Sequence, residues 1–377
     1  MNKLMIASSP LKNNYILMKN KTIRIKDIAL KAKVSTGTVD RVLHNRGRVS
    51  AKVQEKVLKI IKEMDYEPNL IARALGSKKT YKIAALIPDE AFDPYWIAPN
   101  SGINRAEKDL KQYGLVVEKY LFDPLKVDSF VQKAREATAG SPEGILLAPL
   151  FYREALPFFD QWKTLDIPFV LFNTEIAACE PLSYIGQDSY KSGFLAGKLV
   201  HYGQPEPCSI LIAHFDEEIT NAAHLEKKEQ GFRNYFSQNN LSQKYNIVKA
   251  NLIRPDYDSF VKQLDRLFET TTDLKSIFVS TSKAYEIADY LKKRHIHHIK
   301  IVGYDLVPKN LGFLEDDLIS FLINQNPKGQ GYWGLNILAD HLIFKKEVPV
   351  LKYLPLDVVT KENASYFTGD TLEVRIF

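Results

Sequence analysis

Cysteine is scarce: Cys179 and Cys208 are the only two in 377 residues. They are too few and too far apart for a disulfide framework or a metal knuckle, so both read as small buried hydrophobes. Long apolar runs are missing too. The longest stretches, Ile145 to Leu150 and Phe169 to Phe172, fall far short of the roughly 20 residues that span a bilayer. No membrane association is expected. The first twenty residues hold scattered lysines without the apolar core and small-residue cleavage site of a secretory signal, which points to the cytoplasm. Gly-x-Ser-x-Gly, a Walker loop and His-Glu-x-x-His are all absent, so neither an enzyme nor a cofactor is expected. What remains is 45% apolar and 25% charged, the composition of a soluble globular chain long enough for two or three structural units.

The net charge of +6 is unevenly spread. Residues 19–79 carry 16 of the 51 Lys/Arg but only 6 of the 45 Asp/Glu. A small basic head therefore precedes a mildly acidic body, and the head wants a polyanion such as nucleic acid. The spacing of its apolar residues predicts helices over Ile25 to Ala32, Thr36 to His44 and Ala51 to Met64, the last with Ser50 placed to cap it. Ile25 to Leu43 reads as helix, tight turn, helix. Ser35 stands at the amino end of the second helix, and Thr36, Gly37, Asp40 and Arg41 face outward along its front, within reach of base edges. Tyr66-Glu67-Pro68-Asn69 ends this pattern, and a short segment from Asn69 to Leu75 follows, which Asn69 can cap and Gly76 can end.

From Lys82 onward, β-branched runs alternate with amphipathic stretches. Strands are expected at 82–87, 115–121, 144–148, 168–173, 208–213, 246–252, 276–280, 299–304 and 318–323, with helices between most of them, such as 101–113, 127–138, 189–202, 221–238, 257–269 and 283–293. This alternation argues for two doubly wound α/β lobes with parallel sheets. Ligands bind such sheets beyond the carboxyl ends of the strands. The aromatic loop Phe92-Asp93-Pro94-Tyr95-Trp96 and the polar strand-end residues Asn173, Asp188, Asp305 and Gln325 therefore mark a pocket between the lobes. Its rings could stack on the C–H face of a sugar, and its carboxylates suit a polyol.

Asp27-Ile28-Ala29, Val34-Ser35, Thr38-Val39 and Arg41-Val42-Leu43, then Val49-Ser50 and Tyr66-x-Pro68-Asn69-x-x-Ala72-Arg73-x-Leu75, resemble the DNA-binding head and hinge of LacI-family transcription regulators. The body, with Val302-Gly303-Tyr304-Asp305 near its end, is similar to that family's core, which is built like a periplasmic sugar-binding protein. The resemblance implies an all-α helix-turn-helix head over 23–67 and a hinge helix and linker over 68–80. A two-lobed effector and dimerisation domain would span 81–377, with 81–185 and 324–345 in one lobe and 186–323 and 346–377 in the other. Residues 1–22 are left as a disordered extension or a mis-assigned start, with Met18 the alternative initiator. In the family the positions of Thr36, Gly37 and Arg41 read bases, those of Ser35 and Thr38 hold phosphates, and that of Leu75 wedges into a central minor-groove step. With Asp40, His44, Asn69, Ala72 and Arg73 these complete the expected DNA-facing set. Palindromic double-stranded operator DNA and a homodimer are the implied partners, since one recognition helix reads only about 3 to 5 base pairs.

The resemblance also implies effector contacts at Trp96, Asn173, Lys228, Thr281, Asp305 and Gln325, to which the residues themselves add Phe92, Tyr95 and Asp188. Departures from the family pattern matter. Lys33 fills a turn position that is often glycine, and Asp40 replaces a usual serine. Lys228 stands where an arginine usually clamps the ligand, and Thr281 with Ser282 replaces an Asn-Asp pair, leaving a sugar, a sugar acid and a sugar phosphate all open as the effector. A solute-binding protein with no DNA role is the rival reading. Gly329-x-Gly331-x-x-Gly334 matches a dinucleotide fingerprint, but bulky Tyr332 and Trp333 lie inside it and no acidic residue follows at the right distance. His295-Ile296-His297-His298 reads as an exposed connection ahead of a strand, and Asp216-Glu217-Glu218 as a solvated loop.

Overall fold

A break in apolar periodicity at Tyr66 separates two units, residues 1–69 and 70–377, and each is described by itself. The computed structural model describes residues 23–43, 46–47, 49–66, 70–76, 79–215, 223–254 and 256–368. The expectations for residues 1–22, for His44 and Asn69, and for Asp216-Glu217-Glu218 lie outside these.

In the first unit, helices α1 (Ile25–Ala32), α2 (Thr36–Leu43) and α3 (Ala51–Glu63) bury Ile28, Ala29, Ala32, Val39, Val42, Val57 and Ile60 against one another. The turn between α1 and α2 is made by Lys33 in the left-handed region (φ 55°), after which Val34 N–H donates back to the Ala29 carbonyl at 3.0 Å. A side chain there costs about 1–2 kcal/mol against glycine. Ser50 differs from expectation. Its carbonyl accepts the first bonds of α3, but its hydroxyl makes no capping hydrogen bond.

The second unit opens with the short helix α4 (Leu70–Leu75) and continues into two α/β lobes. The first sheet holds β1 (Tyr81–Pro88), β2 (Leu115–Phe122), β3 (Gly144–Leu147), β4 (Phe169–Phe172), β5 (Ser183–Gly186) and β11 (Leu351–Tyr353), all parallel, in the order β11-β5-β4-β3-β1-β2. The second holds β6 (Cys208–Phe215), β7 (Tyr245–Leu252), β8 (Leu274–Val279), β9 (Lys300–Tyr304), β10 (Phe321–Asn324) and β12 (Asp357–Val359), ordered β12-β10-β9-β8-β6-β7. It is parallel except where β12 runs against β10. The central strands are apolar on both faces because helices cover both sides. In the first lobe these are α5 (Ile97–Leu110), α6 (Val127–Ala139), α7 (Tyr152–Thr164) and α13 (Pro327–Leu342); in the second, α8 (Ser189–Gly203), α9 (Ala223–Gln238), α10 (Tyr257–Thr270), α11 (Ala284–Lys293) and α12 (Pro308–Glu315).

The chain crosses between the sheets three times: after β5, after β10, and between β11 and β12. The last crossing corrects the expected lobe boundary. Residues 346 onward do not stay in the second lobe, because Leu351–Tyr353 first pairs with β5 of the first.

Each lobe has one very close helix crossing, and glycines make it possible. A Cβ on Gly102 would overlap the Lys328 carbonyl and one on Gly331 the Pro99 carbonyl, which locks α5 to α13. In the second lobe, Gly193 abuts the Lys228 carbonyl and Gly231 the Tyr190 carbonyl, locking α8 to α9. The Gly329-x-Gly331-x-x-Gly334 pattern is thus a helix-packing feature within α13, with Gly334 set against Leu146.

Candidate functional site

On the head, the front of α2 presents Ser35, Thr36, Gly37 and Arg41 to solvent, with Thr38 and Asp40 half-buried. The Ser35 hydroxyl caps α2 by accepting from Thr38 N–H at 3.1 Å and also bonds the Thr38 hydroxyl at 2.9 Å. Two hydroxyls and a guanidinium on one exposed helix end form a surface suited to phosphate and base-edge contacts. On α4, Leu75 is 52% exposed, while Ala74 is buried in the core of the first lobe.

Between the lobes, at the carboxyl ends of the strands, lies a cleft of about 970 Å³ including its mouth. Doubly wound sheets put their ligand sites at this end because neighbouring loops diverge where the strand order reverses, here beside β1 and β6. Eight of the nine expected effector residues line it: Phe92, Tyr95, Trp96, Asn173, Lys228, Thr281, Asp305 and Gln325. Asp188 does not. Its carboxylate is used as the cap of α8, accepting from Lys191 N–H at 3.0 Å.

The first-lobe wall is rigid. Asp93 Oδ1 accepts from Tyr95 N–H at 3.0 Å and shapes the turn, Trp96 meets Tyr95 and Phe172 edge-on, and Asn173 donates to the Tyr95 hydroxyl at 2.6 Å. Trp96 and Tyr95 are therefore buried walls, whereas Phe92 is 57% exposed at the mouth. Asn173 and Asp305 each follow a strand with a positive φ, 69° and 64°. This turns both side chains at the strand end.

The opposite wall is ionic. Lys228 is 2% exposed; its Nζ donates to the Ser280 carbonyl at 2.9 Å and stands 3.7 Å over the Tyr304 ring. Asp305 Oδ2 accepts from Gln325 Nε2 at 2.6 Å, while its Oδ1 is buried without a hydrogen-bond partner. Burial lowers the Lys228 amine below its usual range, with the Asp305 charge pulling it back. Burial likewise raises the Asp305 carboxyl, against the pull of Lys228. His224 is held neutral, pushed down to about 3 by burial and then by the nearby Lys228. A buried acceptor without a donor is costly to leave unmet, and this one lies on the wall of the cleft.

Comparison with known proteins agrees with this division. Residues 24–69 match the model of bacterial regulatory proteins of the lacI family, and 83–346 match a periplasmic binding protein domain. A protein described as a LacI transcriptional regulator from Bacteroides fragilis superposes with a TM-score of 0.71 and 31% identity, over 76% of this chain and 99% of that one. The chain belongs to the LacI family. Among curated LacI-type relatives, the ribose operon repressor of Halalkalibacterium halodurans is 28% identical over 293 residues, 75% of this chain and 80% of that protein. The glucose-galactose binding protein GanP of Geobacillus stearothermophilus shares the fold, with a TM-score of 0.68 at 22% identity. As a family member the chain is a DNA-binding transcription regulator.

Sequence reasoning missed the support beneath this LacI-type cleft. His214, fully buried at the end of β6, bonds the Ser280 hydroxyl through Nδ1 at 2.6 Å and Glu229 Oε2 through Nε2 at 3.0 Å. Ser280 is the residue whose carbonyl holds Lys228, so the three fix the amine from behind. Burial alone would raise Glu229, but hydrogen bonds from Arg233, His214 and Lys249 outweigh it and take the carboxyl down to about 2. A histidine near the carboxyl end of a largely apolar strand was the available signal. Arg254, which donates to Glu286 at 2.8 Å, and Tyr285 also line the cleft. His295 to His298 fall in the connection between α11 and β9.

Proposed function

We propose that this regulator is a repressor whose hold on operator DNA is set by a sugar-like effector in the cleft, and that it acts as a homodimer in the cytoplasm without catalysing a reaction. The observation that carries the reading is the buried, unpartnered Oδ1 of Asp305 in a cleft between two lobes of a chain that also has a lacI-type head. Repression and a sugar effector follow the names of relatives such as the ribose operon repressor. In this reading Thr36, Gly37, Asp40, Arg41 and His44 face base edges. Ser35 and Thr38 hold phosphates. Asn69, Ala72, Arg73 and Leu75 serve the minor groove. Trp96, Asn173, Lys228, Thr281, Asp305 and Gln325 contact the effector, with Tyr95 in the wall behind them and Phe92 at the mouth. The solute-binding alternative leaves the basic head without a task.

The test is duplex binding by fluorescence anisotropy, using DNA from upstream of the gene itself. The full chain should bind with an affinity that falls steeply with salt, and Arg41→Ala should weaken specific binding by about 1–3 kcal/mol. Trp96→Ala and Asp305→Ala should each abolish stabilisation by the effector in a thermal-shift screen of sugars, sugar acids and sugar phosphates. An intact chain with no salt-dependent duplex affinity would end the reading.

A further inference from the structure

Lys228 is almost wholly buried, yet its ammonium has one carbonyl and one ring face as protein contacts. Among the described residues no carboxylate lies within ion-pair distance of it. Buried charges are ordinarily paired, because an uncompensated one is expensive to keep out of water. A nearby carboxylate acts on it from a distance without closing an ion pair. Asp93 shapes the opposite turn through Tyr95, and Asp305, the carboxylate whose charge Lys228 feels, gives one oxygen to Gln325 and makes no ion pair with the amine. Of the five Lys, Arg, Asp and Glu side chains on the cleft wall, three are cationic, Lys228, Arg254 and Lys283, and Arg254 is already engaged with Glu286. Beside them the Ser280-Thr281-Ser282-Lys283 segment leads into the amino end of α11, a helix of 10 residues, where backbone N–H groups favour negative charge.

The compact, strongly hydrated ammonium of a lysine suits a small anionic oxygen better than the paired hydroxyls an arginine fork would grip. On the same wall, Oδ1 of Asp305 has no donor among the described residues. We infer that the effector is a polyhydroxy anion, a sugar acid or a sugar phosphate, with its carboxylate or phosphate on Lys228 and a hydroxyl donated to Asp305. This rests on the cleft being the effector site.

The full chain is to be assayed by thermal shift and calorimetry at constant pH and ionic strength with matched sets. These are D-glucose, D-gluconate, D-glucuronate and glucose 6-phosphate; D-galactose, D-galactonate and D-galacturonate; and D-ribose with ribose 5-phosphate. At least one anion should bind tenfold or more tighter than its neutral parent, and whether the carboxylates or the phosphates respond identifies the anionic group. Lys228→Met and Lys228→Gln should erase that preference, whereas Lys228→Arg should keep much of it. Ligand-free melting of each variant separates lost recognition from lost folding. Binding of a neutral sugar with no gain for its anion overturns the inference while leaving a sugar-responsive regulator standing. A preference that survives in both Lys228→Met and Lys228→Gln overturns it too. Silence across all three sets overturns both the inference and the sugar-like effector.

Discussion

Glu229 shows how one side chain can govern a site it does not touch. It receives His214, Arg233 and Lys249 together, and the resulting low pKa fixes the sign of its pH dependence. A carboxyl held at about 2 when folded and near 4.3 when unfolded stabilises the fold fully above the unfolded value. That contribution is lost as pH falls through the folded one. Glu229→Gln should therefore lower the melting temperature most near neutral pH, and the gap to the parent should narrow steadily towards pH 3. A gap of constant width would mean that the charge does not matter. These residues were hard to read in advance because His214, Glu229 and Ser280 come from three elements, and only the packing of α9 across β6 and β8 brings them together. Asp305 and Asn173 were legible because each follows the elementary rule that strand ends face the ligand, whereas Lys228, on helix α9, was marked only by the family resemblance. Asp188 obeyed the same rule and was captured by the nearest helix terminus instead.

The glycine crossing of α8 and α9 couples packing to recognition. Gly193→Ala would drive a methyl into the backbone of Lys228, so the variant should lose about 1–3 kcal/mol of stability and displace the amine from the cleft. Denaturant unfolding and calorimetry should both register it. Gly312, within α12 and with open space where its Cβ would stand, is the contrast: Gly312→Ala should stabilise by about 0.5–1 kcal/mol and leave ligand affinity alone. Elements with strong periodicity were readable, among them the nine expected strands and all three head helices. Besides the short β5 and α12, several elements were not read for physical reasons. β11 and β12 have three residues each, too short to show alternation; α7 contains Pro157; and α13 is apolar on most sides and rich in glycine, so it shows no clear amphipathic stripe.

For the whole molecule, regulation requires that ligand and operator affinities be linked. A coupling of about 1–3 kcal/mol changes operator affinity roughly 5- to 150-fold, and linkage demands that saturating operator change effector affinity by the same factor in the same direction. Titrating the effector by calorimetry with and without a bound operator duplex measures this, and unequal factors would show that the two events are not one equilibrium. The two-lobed architecture was legible from alternation alone, but its final boundary was not, because β11 returns to the first lobe. That return has a practical consequence for anyone recombining family members. An effector lobe cannot be exchanged as a single cassette; a working chimera needs junctions near 186–189, 324–327 and 353–357, and a two-junction graft would leave the donor's last strand seated beside a stranger.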